Sequence, residues 1–94
     1  MDRLILQAID EKRRIRFTYN GKPRLAEPQC YGRGAKGTEL LRVHQIAGGS
    51  QAEPLFDVAK MSELVLTNDF FDRPGPNYKE DDSAMTLIFG QLSR

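Results

Sequence analysis

Residues 13–21 read Arg13-Arg14-Ile15-Arg16-Phe17-Thr18-Tyr19-Asn20-Gly21, and they decide the fold class. Ile15, Phe17 and Tyr19 alternate with Arg14, Arg16 and Thr18, the pattern of a half-buried strand with a basic outer face. Asn20-Gly21 follows at once. Both residues tolerate positive φ, so the pair reads as the tight turn of a β-hairpin. The returning strand covers roughly Arg24 to Tyr31 and contains Pro28. Proline lacks the N–H a central strand needs, so this strand is expected at a sheet edge or with a bulge at Pro28.

On the N-terminal side, Asp2 is placed to cap a helix within residues 1–13, and Leu4, Ile5, Ala8 and Ile9 form its apolar stripe. The helix is expected to end near Lys12. On the C-terminal side, Gly32-Arg33-Gly34-Ala35-Lys36-Gly37 reads as a loop with two cations. Residues 38–46 score as a strand, with Leu41 and Val43 inward and Arg42 and His44 outward, although Leu40, Val43 and Ala47 also fit a helix face. Gly48-Gly49-Ser50 is a turn. Leu55 to Val58 and Glu63 to Thr67 are two more short strands. Phe70-Phe71 is an aromatic pair that calls for burial, and Arg73-Pro74-Gly75-Pro76-Asn77 is a loop. Asp82 or Ser83 is placed to cap a short final helix carrying Met85, Ile88, Phe89 and Leu92. The expectation is a single mainly β (α+β) domain over residues 1–94. It comprises an N-terminal helix, a small barrel of about five strands over 14–67, and a tail over 68–94 with a short helix.

The chain has 94 residues, 39% apolar and 29% charged. That is an ordinary globular balance, too short for a (β/α)8 enzyme, which needs roughly 200 residues. No apolar run reaches the ~18 residues of a membrane span, and residues 1–7 lack the apolar core of a signal peptide. One cysteine, Cys30, allows no internal disulfide, and a cytoplasmic location is expected. The net charge of +1 conceals an asymmetry: residues 1–44 hold ten Lys/Arg and five Asp/Glu, residues 45–94 four and eight. The two halves either neutralise each other or present a polyanion-facing surface opposite an acidic one.

Three arrangements invite chemistry. Residues 32–37 spell G-x-G-x-x-G, but a dinucleotide site needs a βαβ unit around it, so a plain glycine loop between strands is the simpler reading. Cys30 and His44 are the only residues of their kinds. A nucleophilic pair would need them in contact with an orienting third group, and zinc would need further ligands. Glu80-Asp81-Asp82 reads as a solvated helix start. The cations say more. Arg13, Arg14 and Arg16 cluster about the first strand, Arg24 lies across the turn, and Arg42 and His44 share one strand face. Arginines converging on one spot grip phosphate or carboxylate by paired hydrogen bonds, and Tyr19 and Tyr31 offer rings on which a base could stack.

Taken in order, these residues resemble the WYL domain family. The correspondence runs through Ala8-Ile9, the basic turn Glu11-Lys12-Arg13-Arg14, the strand ending in Tyr19, Arg24 with Glu27-Pro28, then Gly37 and Leu40, and Phe56 with Lys60-Met61. Leu40-Leu41-Arg42, Gln45, Gly48 and Ser50, with the tail from Phe70 to Leu92, are similar to short proteins bearing this domain. The resemblance implies an SH3/Sm-like β-barrel with an N-terminal helix, a bacterial setting and a role in transcription regulation as a ligand-sensing module rather than an enzyme. Tyr19, Arg24 and Leu40 map onto the family motif, and Lys60 stands where the family prefers arginine. Thr38 and Glu39 replace the named Trp-Tyr pair, and Pro54 occupies the place of a ligand-facing arginine. No helix-turn-helix is read here, so direct DNA regulation by this chain alone is not expected.

The functional expectation is a non-catalytic module without a cofactor or metal. It would bind an anionic ligand, a nucleotide or single-stranded nucleic acid, through Tyr19, Arg24, Arg42, His44 and Lys60. Arg13, Arg14, Arg16, Arg33 and Lys36 would extend a nucleic-acid surface. The alternative is an interaction domain, a homodimer or a partner of a regulator protein, with no small ligand.

Overall fold

The structure is a computed structural model that describes residues 1–93. The Asp2 carboxylate accepts hydrogen bonds from the Leu4 and Ile5 amides at 2.9 and 3.2 Å and starts helix α1, Arg3–Glu11. Lys12 ends it in the left-handed region at φ 52°, its amide turned back to the Ala8 and Ile9 carbonyls. Six strands follow: β1 Arg13–Tyr19, β2 Lys22–Arg33, β3 Glu39–Ala47, β4 Leu55–Asp57, β5 Ser62–Phe70 and β6 Leu87–Gln91. A 3-10 turn, Val58–Lys60, links β4 to β5. Asn20 and Gly21 both have positive φ, 51° and 73°, as the predicted hairpin turn requires.

The six strands form one antiparallel sheet in the order β4-β3-β2-β1-β5, with β6 also on β2. Strand β2 is therefore central, and the bulge rather than the edge accommodates Pro28. Its pairing with β3 slips between Pro28 and Cys30. On its other side β1 covers residues 22–26 and β6 covers residues 30–33. Pro28 sits in the gap between these two partners, where no ladder asks it for a donor.

Phe56 on β4 packs against Phe17 and Tyr19 on β1, with ring centroids 5.1 and 4.6 Å apart. Three strand spacings in a flat sheet would separate those strands by about 14 Å, so the sheet is rolled. It is not closed: β4 and β5 end the order without pairing. The expected mainly β fold with an N-terminal helix is present, with six strands rather than about five, and the sheet does not close into a barrel. The expected C-terminal helix is corrected, because its residues form β6. Met85, Ile88, Phe89 and Leu92 do have helical spacing, but the far half of β2 carries ladder groups that need a partner on that side. Gly32 has no side chain to hold β6 off, since a Cβ there would stand 3.1 Å from Ile88 Cα, and Gly90 lets Leu6 of α1 pack on β6, where a Cβ would stand 2.9 Å from its Cδ2. The tail is thus part of the sheet rather than an appendage.

The inner face carries Ile15, Phe17, Ala26, Leu41 and Val43 against the Ile5, Ala8 and Ile9 stripe of α1. Tyr31 belongs to this core, fully buried. Its hydroxyl accepts the Asp2 amide at 2.7 Å and donates to the Glu39 carboxylate. It offers no stacking surface, contrary to expectation. Glu27, Gln29 and Cys30 are buried because residues 71–86 lie across the outer face of β2 and β3. The Gly75 amide donates to Gln29 Oε1 at 2.6 Å, the Asn77 amide to Glu53 Oε2 at 2.8 Å, and the Thr86 amide to the Arg33 carbonyl at 2.8 Å. Of the aromatic pair only Phe71 is buried. Phe70 is 60% exposed, with the Arg13 guanidinium 5.6 Å from its ring centre.

Candidate anion-binding site

Register sets the site. Arg24 lies opposite Phe17, so its side chain takes the core-facing side of the sheet, at the rim where the hairpin turns. Tyr19 ends β1 on the same rim, and rolling the sheet brings Phe56 beside it. The Arg24 guanidinium lies over both rings, 5.8 Å from the Tyr19 centre and 5.5 Å from that of Phe56. Its Nε donates to the Lys22 carbonyl at 3.3 Å, Nη1 to Gln45 Oε1 at 3.1 Å and Nη2 to the Tyr19 carbonyl at 3.1 Å. Gln45 is itself fixed, its Nε2 donating to the Gln51 carbonyl at 2.8 Å. The Tyr19 hydroxyl accepts the Asp57 amide at 3.2 Å. A guanidinium has five N–H groups, so two remain to be used.

A cleft of about 310 Å³ opens at this point, walled by Lys22, Gln45 and the Gly48–Ser50 turn. The turn must be glycine to come so close: a Cβ on Gly49 would stand 2.7 Å from Arg24 Nη1, and Gly48 has φ +106°. Two cations and no carboxylate line the cleft among the described residues.

The remaining predicted residues do not join this site. Arg42 lies on the opposite face. Its Nε donates to Asp82 at 2.8 Å and its Nη1 to the Glu53 carbonyl at 3.1 Å, which ties β3 to the tail. Burial pushes the Asp82 carboxyl up, but its bonds from Arg42 and the Ala84 amide outweigh this and hold it below the ordinary value. His44 Nδ1 meets Glu27 Oε1 at 3.1 Å, and the other oxygen of that buried carboxylate accepts from Arg14 Nε at 2.9 Å. Gly75 presses on the imidazole, since a Cβ there would stand 2.9 Å from His44 Cγ. Arg14, Glu27 and His44 thus pin β1, β2 and β3 beneath the tail. Arg13 binds Glu11 at 2.9 Å, the Thr67 carbonyl at 2.8 Å and Asn68 at 3.0 Å. Arg33 lies 5.4 Å over the Phe89 ring, and Arg16, Lys36 and Lys60 are exposed on other parts of the surface. The convergence of Tyr19, Arg24, Arg42 and His44 on one spot is therefore corrected: Tyr19 and Arg24 share a cleft, and Arg42 and His44 are held elsewhere by carboxylates. Alternation assigns faces within a strand, but only the pairing register shows that Arg24 and Arg42 project from opposite sides.

Gln45 and Phe56 complete the site, and the reading of the residues gave neither a role in binding. The Gly48-Gly49-Ser50 turn marked the wall but not what it faced. Cys30 is packed under Met85, its Sγ 3.6 Å from Sδ, and burial pushes its thiol up to about 11. No hydrogen bond links it to His44. Among the described residues no group of three His, Cys, Asp or Glu side chains is placed to hold a metal ion, and no helix is long and apolar enough to cross a membrane. No protein-family model, no curated protein and no solved structure matches this chain.

Proposed function

We propose that this protein is a non-catalytic module that binds the phosphate of a nucleotide, or of single-stranded nucleic acid, in the Arg24 cleft. One observation carries the reading. Arg24 is held rigidly by two rings and three hydrogen bonds, yet no carboxylate neutralises it, and it keeps two N–H groups for a ligand. Arg13, Arg14 and Arg42 each spend their charge on an acidic side chain. A guanidinium fixed in advance and unpaired gives up little entropy on meeting an oxyanion and grips two of its oxygens at once. Lys22, at the mouth, adds a second positive charge. The WYL resemblance supports the same reading, because Tyr19 and Arg24 are among the residues it maps, with Leu40 and Lys60. On that resemblance the rolled sheet is an SH3/Sm-like barrel left open between β4 and β5. The module would serve a regulatory protein by sensing the ligand.

The test is calorimetric titration with a nucleoside monophosphate, inorganic phosphate and the uncharged nucleoside. Binding is expected for the first, more weakly for the second and not for the third. Arg24→Gln removes the charged hydrogen bonds, worth about 1.5–3 kcal/mol, and should weaken binding roughly 10- to 150-fold. Unchanged affinity in that variant overturns the reading.

A further inference from the structure

Beside the Arg24 cleft, one row of the outer sheet face is left bare by the tail. Ala47 on β3, Leu25 on β2, Arg16 on β1 and Val65 on β5 are successive cross-strand partners, so their side chains stand side by side on that face. Neighbouring rows face the tail: Gly75 packs on His44, Arg14, Glu27 and His44 line a groove with residues 70–76, and Arg42 is tied to Asp82. The bare row opens a groove of about 460 Å³ whose lining includes Leu25, Ala47, Val65, Arg16 and Glu63, with Arg24 at its hairpin end. Val65 is 51% exposed and Ile46, beside Ala47, 42%. Arg16 and Glu63 have no hydrogen-bond or ion-pair partner among the described residues, whereas Arg13, Arg14, Arg24 and Arg42 each have one.

We infer that this face binds a second copy of the chain. The argument is self-complementarity. Apolar residues flanked by Arg16 and Glu63, neither of which has a partner within the chain, match their own image across a two-fold axis, because the axis brings Arg16 of each copy onto Glu63 of the other. Val65 and Leu25 then lose water between the two ion pairs, and the paired charges close the rim. A foreign partner would need the same charge pattern reversed in place, which the second copy supplies by symmetry. Arg24 lines both this groove and its own cleft, so the two sites are neighbours at the hairpin end of the sheet.

Sedimentation velocity over a concentration series at low salt tests this. The wild-type chain is expected to shift from monomer to dimer, less so at high salt. Arg16→Glu and Glu63→Lys should each abolish the dimer, and the double variant Arg16→Glu/Glu63→Lys should restore it. Circular dichroism checks that each variant folds. If either charged variant does not fold, Val65→Ser is the substitute, and it too should leave only monomer. A wild-type chain that is monomeric throughout overturns the inference, as does a dimer that survives the single variants or is not recovered in the double.

Discussion

Gly32→Ala tests whether β6 is seated where the fold requires. Gly32 lies on the far half of β2, opposite Ile88. A methyl group there would stand 2.8 Å from Met85 Sδ and 3.1 Å from Ile88 Cα, and closer still to the Leu87 carbonyl oxygen. Two of these are backbone atoms of β6, so no rotamer relieves the clash and the strand must move. Overpacking of this kind costs about 1–3 kcal/mol. Displacing β6 also withdraws Leu92 from the core and loosens the packing of Phe89 on Tyr31, now at 5.1 Å between ring centres. Losing the buried Leu92 side chain adds about 2 kcal/mol. The sum is roughly 3–5 kcal/mol, a fall in melting temperature of at least about 12 °C for a domain of this size. Gly21→Ala is the control. It has open space around it and only a positive φ of 73° to strain, so it should cost about 1 kcal/mol. Thermal and urea unfolding followed by circular dichroism measure both. A Gly32→Ala protein no less stable than Gly21→Ala would refute the pairing of β6 with β2.

Acid should loosen the tail: the Asp82 carboxyl titrates below its unfolded value, so its contribution is full above about pH 4 and is lost as pH falls through the folded value. Asp82→Asn should flatten the acid limb of a melting-temperature profile, and an unaltered limb would contradict the Arg42–Asp82 tie. Cys30, fully buried with its thiol pushed up to about 11, should resist a thiol reagent at mildly alkaline pH until the protein is denatured. Rapid labelling of the folded chain would show that residues 71–86 do not cover it.

Much of the fold was legible because local signals agreed with the final packing. The Asp2 cap, the Ile5-Ala8-Ile9 stripe, the β1 alternation and the Asn20-Gly21 turn each depend on neighbours in sequence. Pro28 announced a bulge, since a missing donor has the same consequence wherever the strand lies. The tail was misread because its spacing fits a helix, and what overrides it is the open side of β2, nearly sixty residues away in sequence. The site was half legible. Tyr19 and Arg24 flank one turn and must be close. Charge and a shared strand face group Arg42 and His44 with them, whereas Asp82 and Glu27 hold those two on the other face. Sequence order cannot reveal which cation finds a carboxylate, because that depends on where the tail crosses the sheet.

The central claim is that an unpaired, preorganised Arg24 holds a phosphate. Its most direct measurement is an amide and arginine Nε chemical-shift titration of the whole chain with a nucleoside monophosphate. The account predicts saturable shifts confined to Tyr19, Lys22, Arg24, Gln45 and the Gly48–Ser50 turn, with the Arg24 Nε signal among the largest. Shifts centred on Arg14 and His44 or on Arg33 and Lys36, or no saturable shift at all, would contradict it.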